Sequence, residues 1–195
     1  MAVDQRMTED PKKVLHFFNT AEKLKSVLRH SYLSSGRQES VAEHSWRLAL
    51  IALTLESEFS NIDINKVIRI LLVHDLGEII CGDVPVFPPR PRNDKAAKER
   101  DAMHVLTKEL SEEKKKEIIG LWEEYESCST NEARLAKTID KIEALIQHNE
   151  CDPSLLEEGE AEFNLNFAKH HTDSFEFIKK LRELVDKETK KRVLK

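Results

Sequence analysis

An all-α fold in one domain is predicted, on three observations. Glycine is scarce, with only Gly36, Gly77, Gly82, Gly120 and Gly159 in 195 residues. Helix-start signals recur, and behind them apolar residues return at helical intervals. No alternating run of four or more β-branched residues bounded by turn signals occurs, so nothing reads as a strand.

Taken in order, Asp10 followed by Pro11 reads as N-cap and first helical position, opening a helix over about 10–29. Ser40-Val-Ala-Glu43 has capping-box spacing and opens 40–58, where Trp46, Ala49, Leu50 and Leu53 share a face. A helix over 63–75 carries a dense apolar stretch, Ile68 to Val73, interrupted only by Arg69. From Val84 to Asn93 come four of the six prolines, Pro85, Pro88, Pro89 and Pro91. Proline removes a backbone donor and fixes φ, so this stretch is an extended loop. Helices follow at 94–109 and 111–126. Ser129-Thr-Asn-Glu132, a second capping box, opens 130–151, with Leu135, Ile139, Ile142 and Ile146 on one face. Ser154-Leu-Leu-Glu157 repeats that spacing, and Phe175, Ile178, Leu181 and Val185 mark a last helix over 172–190. Lys187–Lys195 reads as a frayed basic tail. No internal repeat is visible, and residues 1–195 read as one helical bundle, with core motifs at about 24–146 and C-terminal helices 155–190 packing on it.

Composition narrows the function. The balance of 31 Lys+Arg against 36 Asp+Glu leaves a net charge of −5, the wrong sign for gripping a nucleic-acid polymer by charge alone. No apolar run approaches a membrane span, and Met1–Asp10 is polar throughout, unlike a signal segment. Cys81, Cys128 and Cys151 are odd in number and lack C-x-x-C spacing, which fits neither a disulfide framework nor a thiolate zinc site and agrees with a reducing cytoplasm.

Leu71-Leu-Val-His74-Asp75-Leu-Gly-Glu78 is the most informative segment. An apolar helix runs into adjacent His74 and Asp75, with Glu78 four residues after the histidine. Such groups are costly to bury unless something satisfies them, and a divalent cation would. Further ligands must come from elsewhere. His44 lies in the first turn of the helix behind the Ser40 capping box, and Asp140 sits in an otherwise core-forming helix between Ala136 and Ala144. His44, His74, Asp75 and Asp140 would form a two-histidine, two-carboxylate shell suited to Mn, Fe, Co, Ni or Zn, with open positions for water. Each also has a structural reading: His74 ending a buried helix against a carbonyl, His44 bonded beneath Trp46, Asp140 solvated. The combination and its order along the chain favour the ligand reading.

Ser40-Val-Ala-Glu-His44-Ser-Trp-Arg-Leu-Ala, then His74-Asp75-Leu-Gly-Glu78 with Gly82-Asp83, then Asp140-Lys141, resembles the HD-domain metal-dependent phosphohydrolases. Within them it most resembles the small branch containing the 5′-deoxynucleotidases, over about Leu24 to Ile146. The resemblance implies an HD-type helical bundle with His44, His74, Asp75 and Asp140 as metal ligands. It implies Glu78 and Asp83 as acid/base and water-positioning carboxylates, and Arg29 as a phosphate-binding residue whose fork suits phosphate oxygens. Where that branch often has a Trp close after the Arg, this chain has Arg29-His30-Ser31-Tyr32, so Tyr32 or His30 takes the sugar-packing place. A second adjacent ion, Mg among the choices, would use Asp75, Glu78 and Asp83. A homodimer is implied as well.

The function expected is metal-dependent hydrolysis of a phosphate monoester, a nucleoside or deoxynucleoside 5′-monophosphate giving nucleoside and phosphate. Two alternatives stand beside it. One is an HD hydrolase acting on another phosphoester, such as a nucleoside triphosphate or cyclic nucleotide. The other is a non-catalytic helical module that binds metal structurally or regulates a partner.

Overall fold

The computed structural model describes residues 9–88 and 94–193. Asp10 caps α1 (Pro11–Ala21), its side chain accepting from the Lys12 amide at 2.9 Å. The helix expected to run on to 29 stops at Ala21. A short 3-10 turn, Glu22–Ser26, leads into β1 (Leu28–Tyr32), which pairs antiparallel with β2 (Gln38–Ser40). Gly36 lies in the intervening turn at φ 83, a conformation that costs glycine nothing. This hairpin escapes a pattern-based reading because its buried positions are polar, Ser31, Glu39 and Ser40, with no apolar alternation to announce it.

Ser40 ends the hairpin and caps α2 (Val41–Thr54). It accepts from the Glu43 amide while Glu43 accepts from the Ser40 amide at 2.8 Å, the expected capping box. The buried face of α2 is not the stripe that hydropathy favours. Val41, His44, Ser45, Leu48 and Ala52 turn inward, while Trp46, Leu50 and Leu53 are exposed by 64%, 45% and 57%. α3 (Ile64–Val73) follows an Asp63 cap and ends at His74, after which a turn carries the chain into the single-turn α4 (Glu78–Cys81).

Residues 84–88 are irregular, and Pro89 and Pro91 of the expected loop lie outside the described residues. α5 (Lys95–Thr107) and α6 (Glu112–Ser127) match the expected spans closely. α7 (Asn131–Glu150) is capped by Thr130, one residue later than the capping-box reading, its hydroxyl accepting from the Ala133 amide at 3.1 Å. Ser154 opens no α-helix: Asp152 instead caps a 3-10 turn at Pro153–Leu155. Two short helices precede the last long one: α8 (Glu160–Asn166), α9 (Lys169–Thr172) and α10 (Glu176–Val193). The described part of the basic tail is helical, held by the Thr189 hydroxyl donating to Asn149 Oδ1 at 2.8 Å.

The main core joins α2, α3, α7 and α10 through Leu48, Ile70, Leu71, Ile139, Ile142 and Ile178, all fully buried. A second cluster, including Leu24, Val41, Met103 and Trp122, ties α5 and α6 to the start of α2. Each such side chain contributes about 1.5–3 kcal/mol by leaving water. Among the described residues the architecture is all-α with one small hairpin. No helix among the described residues is long and apolar enough to cross a membrane.

Candidate metal centre and adjoining cavity

Three helices bring the sequence-selected residues together. α2 supplies His44, the end of α3 supplies His74 and Asp75, and α7 supplies Asp140. Ligand atoms of His44, His74 and Asp75 all lie within 4.8 Å of one another. Asp140 Oδ1 is 3.3 Å from His44 Nε2. The two imidazoles are 5.6 Å apart, centroid to centroid.

The hydrogen bonds on the far side of each ring reveal what the near side lacks. His74 Nδ1–H donates to the Leu71 carbonyl at 2.8 Å, which leaves a lone pair on Nε2. That nitrogen is buried without a hydrogen-bond partner and faces Asp75 Oδ2 at 2.9 Å, acceptor against acceptor. His44 repeats the arrangement: Glu143 Oε2 takes Nδ1–H at 2.5 Å, while Nε2 is buried without an aligned partner. Burial and Arg29 disfavour a charged His44, yet Glu143 and Asp140 outweigh both and raise it to about 9, so the Nε2 position draws positive charge, which either a proton or a metal ion can supply. Burial alone would raise Asp75, but His74 and His44 hold it well below the ordinary carboxylate range. The pocket asks for positive charge between these side chains. Two imidazole nitrogens and two carboxylates are the donor set a divalent transition metal takes, so the residues fit such an ion.

A second acidic group, Glu39, His44 and Glu143, is also close enough to hold a cation. Arg29 already fills that role. Its Nη1 lies 3.0 Å from Glu39 Oε2 and 3.5 Å from Glu143 Oε2.

The remaining expected residues surround this centre. Glu78 is buried with Oε2 unpartnered, and burial, then Asp75 and Asp83, push it up to about 10. Lys95 Nζ stands 3.8 Å from its Oε1. Asp83 is also raised, by burial against the pull of Arg29. Arg29, Asp83 and Asp140 open onto one cavity of about 580 Å³, counting its mouth, with His30, Lys141, Phe87, His148 and α8 forming further walls. Tyr32 does not line it. Its carbonyl accepts from Gln147 Nε2 at 2.7 Å, and of the two candidates for the sugar-packing place only His30 lines the cavity.

Sequence reasoning missed Glu143, Tyr125, Lys95 and α8. Tyr125 donates its phenolic proton to Asp140 Oδ2 at 2.6 Å, and Lys141 Nζ donates to the same oxygen at 2.7 Å, so Asp140 is held at one oxygen and presents the other to His44. Asp140 and Glu143 are three residues apart on α7, a spacing that puts both on one face. That spacing was the available signal.

Comparison with known proteins agrees in extent. A family model described as HD domain matches residues 21–182. The 5′-deoxynucleotidase HDDC2 of Dictyostelium discoideum is 38% identical over 146 residues, 71% of this chain and 77% of that one. Its namesake in Homo sapiens is 36% identical over 143 residues, 72% of this chain and 69% of that one. A crystal structure from Magnetospirillum magnetotacticum MS-1, described as a predicted metal-dependent phosphohydrolase, superposes with a TM-score of 0.78 at 28% identity and covers 93% of each chain. Agreement of that length, in sequence and in fold, makes this chain a member of the HD-domain family of metal-dependent phosphohydrolases.

Proposed function

We propose that this chain hydrolyses 2′-deoxynucleoside 5′-monophosphates to nucleoside and phosphate, with His44, His74, Asp75 and Asp140 holding a divalent ion drawn from Mn, Fe, Co, Ni and Zn. The observation that carries it is the pair of buried, unpartnered imidazole nitrogens facing carboxylates beside a cavity that also displays Arg29. Relatives named 5′-deoxynucleotidase support the substrate class.

An ion held by these four side chains would supply Lewis acidity toward water and a phosphoryl oxygen. The chain's own side chains do the rest. Arg29 spends Nη1 on Glu39 and Glu143, which fixes the guanidinium plane and leaves its other N–H groups for phosphate oxygens. Lys141, on the cavity wall, adds positive charge beside it, so an acidic protein acquires a local focus for a dianion. Burial, then Asp75 and Asp83, raise the affinity of Glu78 for a proton, which suits a general acid or base. Asp83 lines the cavity, where a carboxyl group can pass a proton to the departing sugar oxygen or orient the attacking water.

A homodimer fits the exposed stripe of Trp46, Leu50 and Leu53 on α2, which a two-fold axis would bury against itself. Three free cysteines fit a reducing cytoplasm. The test of function is elemental analysis followed by phosphate release from a nucleotide panel under different added metals. Release from 2′-deoxynucleoside 5′-monophosphates is expected, and bound metal with no release from any of them refutes the proposal. Light scattering behind size exclusion, with Trp46→Glu as control, decides the dimer.

A further inference from the structure

One wall of the cavity has no part in the chemistry just described. Glu160, Phe163, Asn164 and Phe167 follow at i, i+3, i+4 and i+7, so α8 and its C-cap turn one face to the cavity. The aromatic part is continuous: Phe163 packs directly on Phe167 at 5.3 Å and on Phe87 at 5.2 Å, centroid to centroid, and all three rings line the cavity. The polar part is unfinished. Glu160 is fully buried, and Oε2 accepts from the Glu157 amide at 2.9 Å. Oε1 lies 3.2 Å from His30 Nε2 and 3.7 Å from His148 Nδ1 yet takes no aligned hydrogen bond from either. Asn164 donates to His148 Nδ1 at 3.0 Å, which commits that nitrogen elsewhere.

A buried carboxylate oxygen whose neighbouring imidazoles are close but misaligned is incompletely satisfied, and in a cavity wall it can accept a further N–H from a ligand. Burial works against its charge, but His30 and the Glu157 amide hold Glu160 below the usual carboxylate range, so it accepts and does not donate. Aromatic faces beside a lone acceptor suit a flat ring with an N–H on its edge. A deoxyribose ring carries no N–H. The phosphate end of the cavity is marked by Arg29 and Lys141, which leaves this wall for the other end of the substrate.

We infer that α8 is the base-recognition element, with Phe163 and Phe87 packing on the nucleobase and Glu160 Oε1 accepting an N–H from its edge. The inference rests on the nucleotidase reading and names the feature of the substrate that this wall selects.

Steady-state kinetics on three substrates test it: dAMP, the 2′-deoxynucleoside 5′-monophosphate of unsubstituted purine, which lacks the exocyclic amine, and deoxyribose 5-phosphate, which lacks the base. The natural chain should prefer dAMP over the unsubstituted purine by about tenfold in kcat/KM, the factor one hydrogen bond to a charged acceptor supplies. Glu160→Ala should bring that ratio close to one, through KM, while deoxyribose 5-phosphate loses no more than about twofold. Glu160→Gln keeps an acceptor oxygen and should retain most of the preference. Phe163→Leu should raise KM for both nucleotides. A preference that survives Glu160→Ala, or an equal loss on deoxyribose 5-phosphate, overturns the inference and leaves the nucleotidase reading standing. Turnover of none of the three by the natural, metal-loaded chain overturns that reading, and this inference with it.

Discussion

His44 is gripped at both ring nitrogens by one helix: Glu143 Oε2 stands 2.5 Å from Nδ1, and Asp140 Oδ1 stands 3.3 Å from Nε2. A carboxylate behind a ligating histidine fixes its tautomer and makes the far nitrogen a better donor. Glu143→Gln and Glu143→Ala should therefore weaken metal binding by about 10–100-fold without touching the ion themselves. Competition against a chelator of known affinity measures this. Unchanged affinity would show that Glu143 serves only Arg29.

His74→Ala and Asp75→Ala should lose bound metal and turnover together. Glu78→Ala should keep the ion and lose about 10²–10⁴-fold in kcat, the usual range for a general acid or base. Metal content and kcat measured on the same preparations separate the two behaviours.

Arg29 pairs with two carboxylates and, in the proposed function, also binds phosphate, so its removal should show both effects. It sits largely buried between Glu39 and Glu143, so Arg29→Ala strands two carboxylates and should cost about 3–5 kcal/mol in urea unfolding. Arg29→Lys keeps the charge but loses the planar fork. It should raise KM for the phosphomonoester while recovering part of the stability.

The two faces of α2 should respond oppositely. Leu48→Ala opens a cavity in the main core and should cost about 2–5 kcal/mol. Trp46→Ala removes an exposed ring and should leave monomer stability within about 0.5 kcal/mol. A large loss on removing Trp46 from the monomer would place its ring inside the fold.

Acid should act on the α2 cap. Hydrogen bonds from Arg37 first, then the Ser40 amide, hold Glu43 at about 2 against an ordinary value of 4.5. The folded-state value is the lower one, so the stabilisation is complete above pH 4.5 and disappears as pH falls to about 2. Thermal melts of the natural chain and Glu43→Gln should differ at pH 6 and converge near pH 2, as about two such pKa values require.

Long helices were legible because caps and apolar spacing are local signals, and α5, α6 and α7 lie close to where those signals put them. The β1–β2 hairpin was not, because its stability comes from polar cross-strand contacts such as Arg29 with Glu39. The inward face of α2 was misread by hydropathy: its core side is lined with His44 and Ser45, and its largest apolar ring points outward. At the site, adjacency in sequence marked His74 and Asp75 and a recognisable motif marked His44. Glu143 looked like any solvated helix carboxylate until α2 was packed against it. Glu160 carried no local signal, since its meaning lies in a cavity that only tertiary structure makes.

Arg29 reaches across 114 positions of the chain to Glu143. During synthesis on a ribosome, then, the hairpin emerges with its guanidinium long before the helix that receives it, and neither Glu143 nor Asp140, the proposed fourth ligand, is in place until α7 is out.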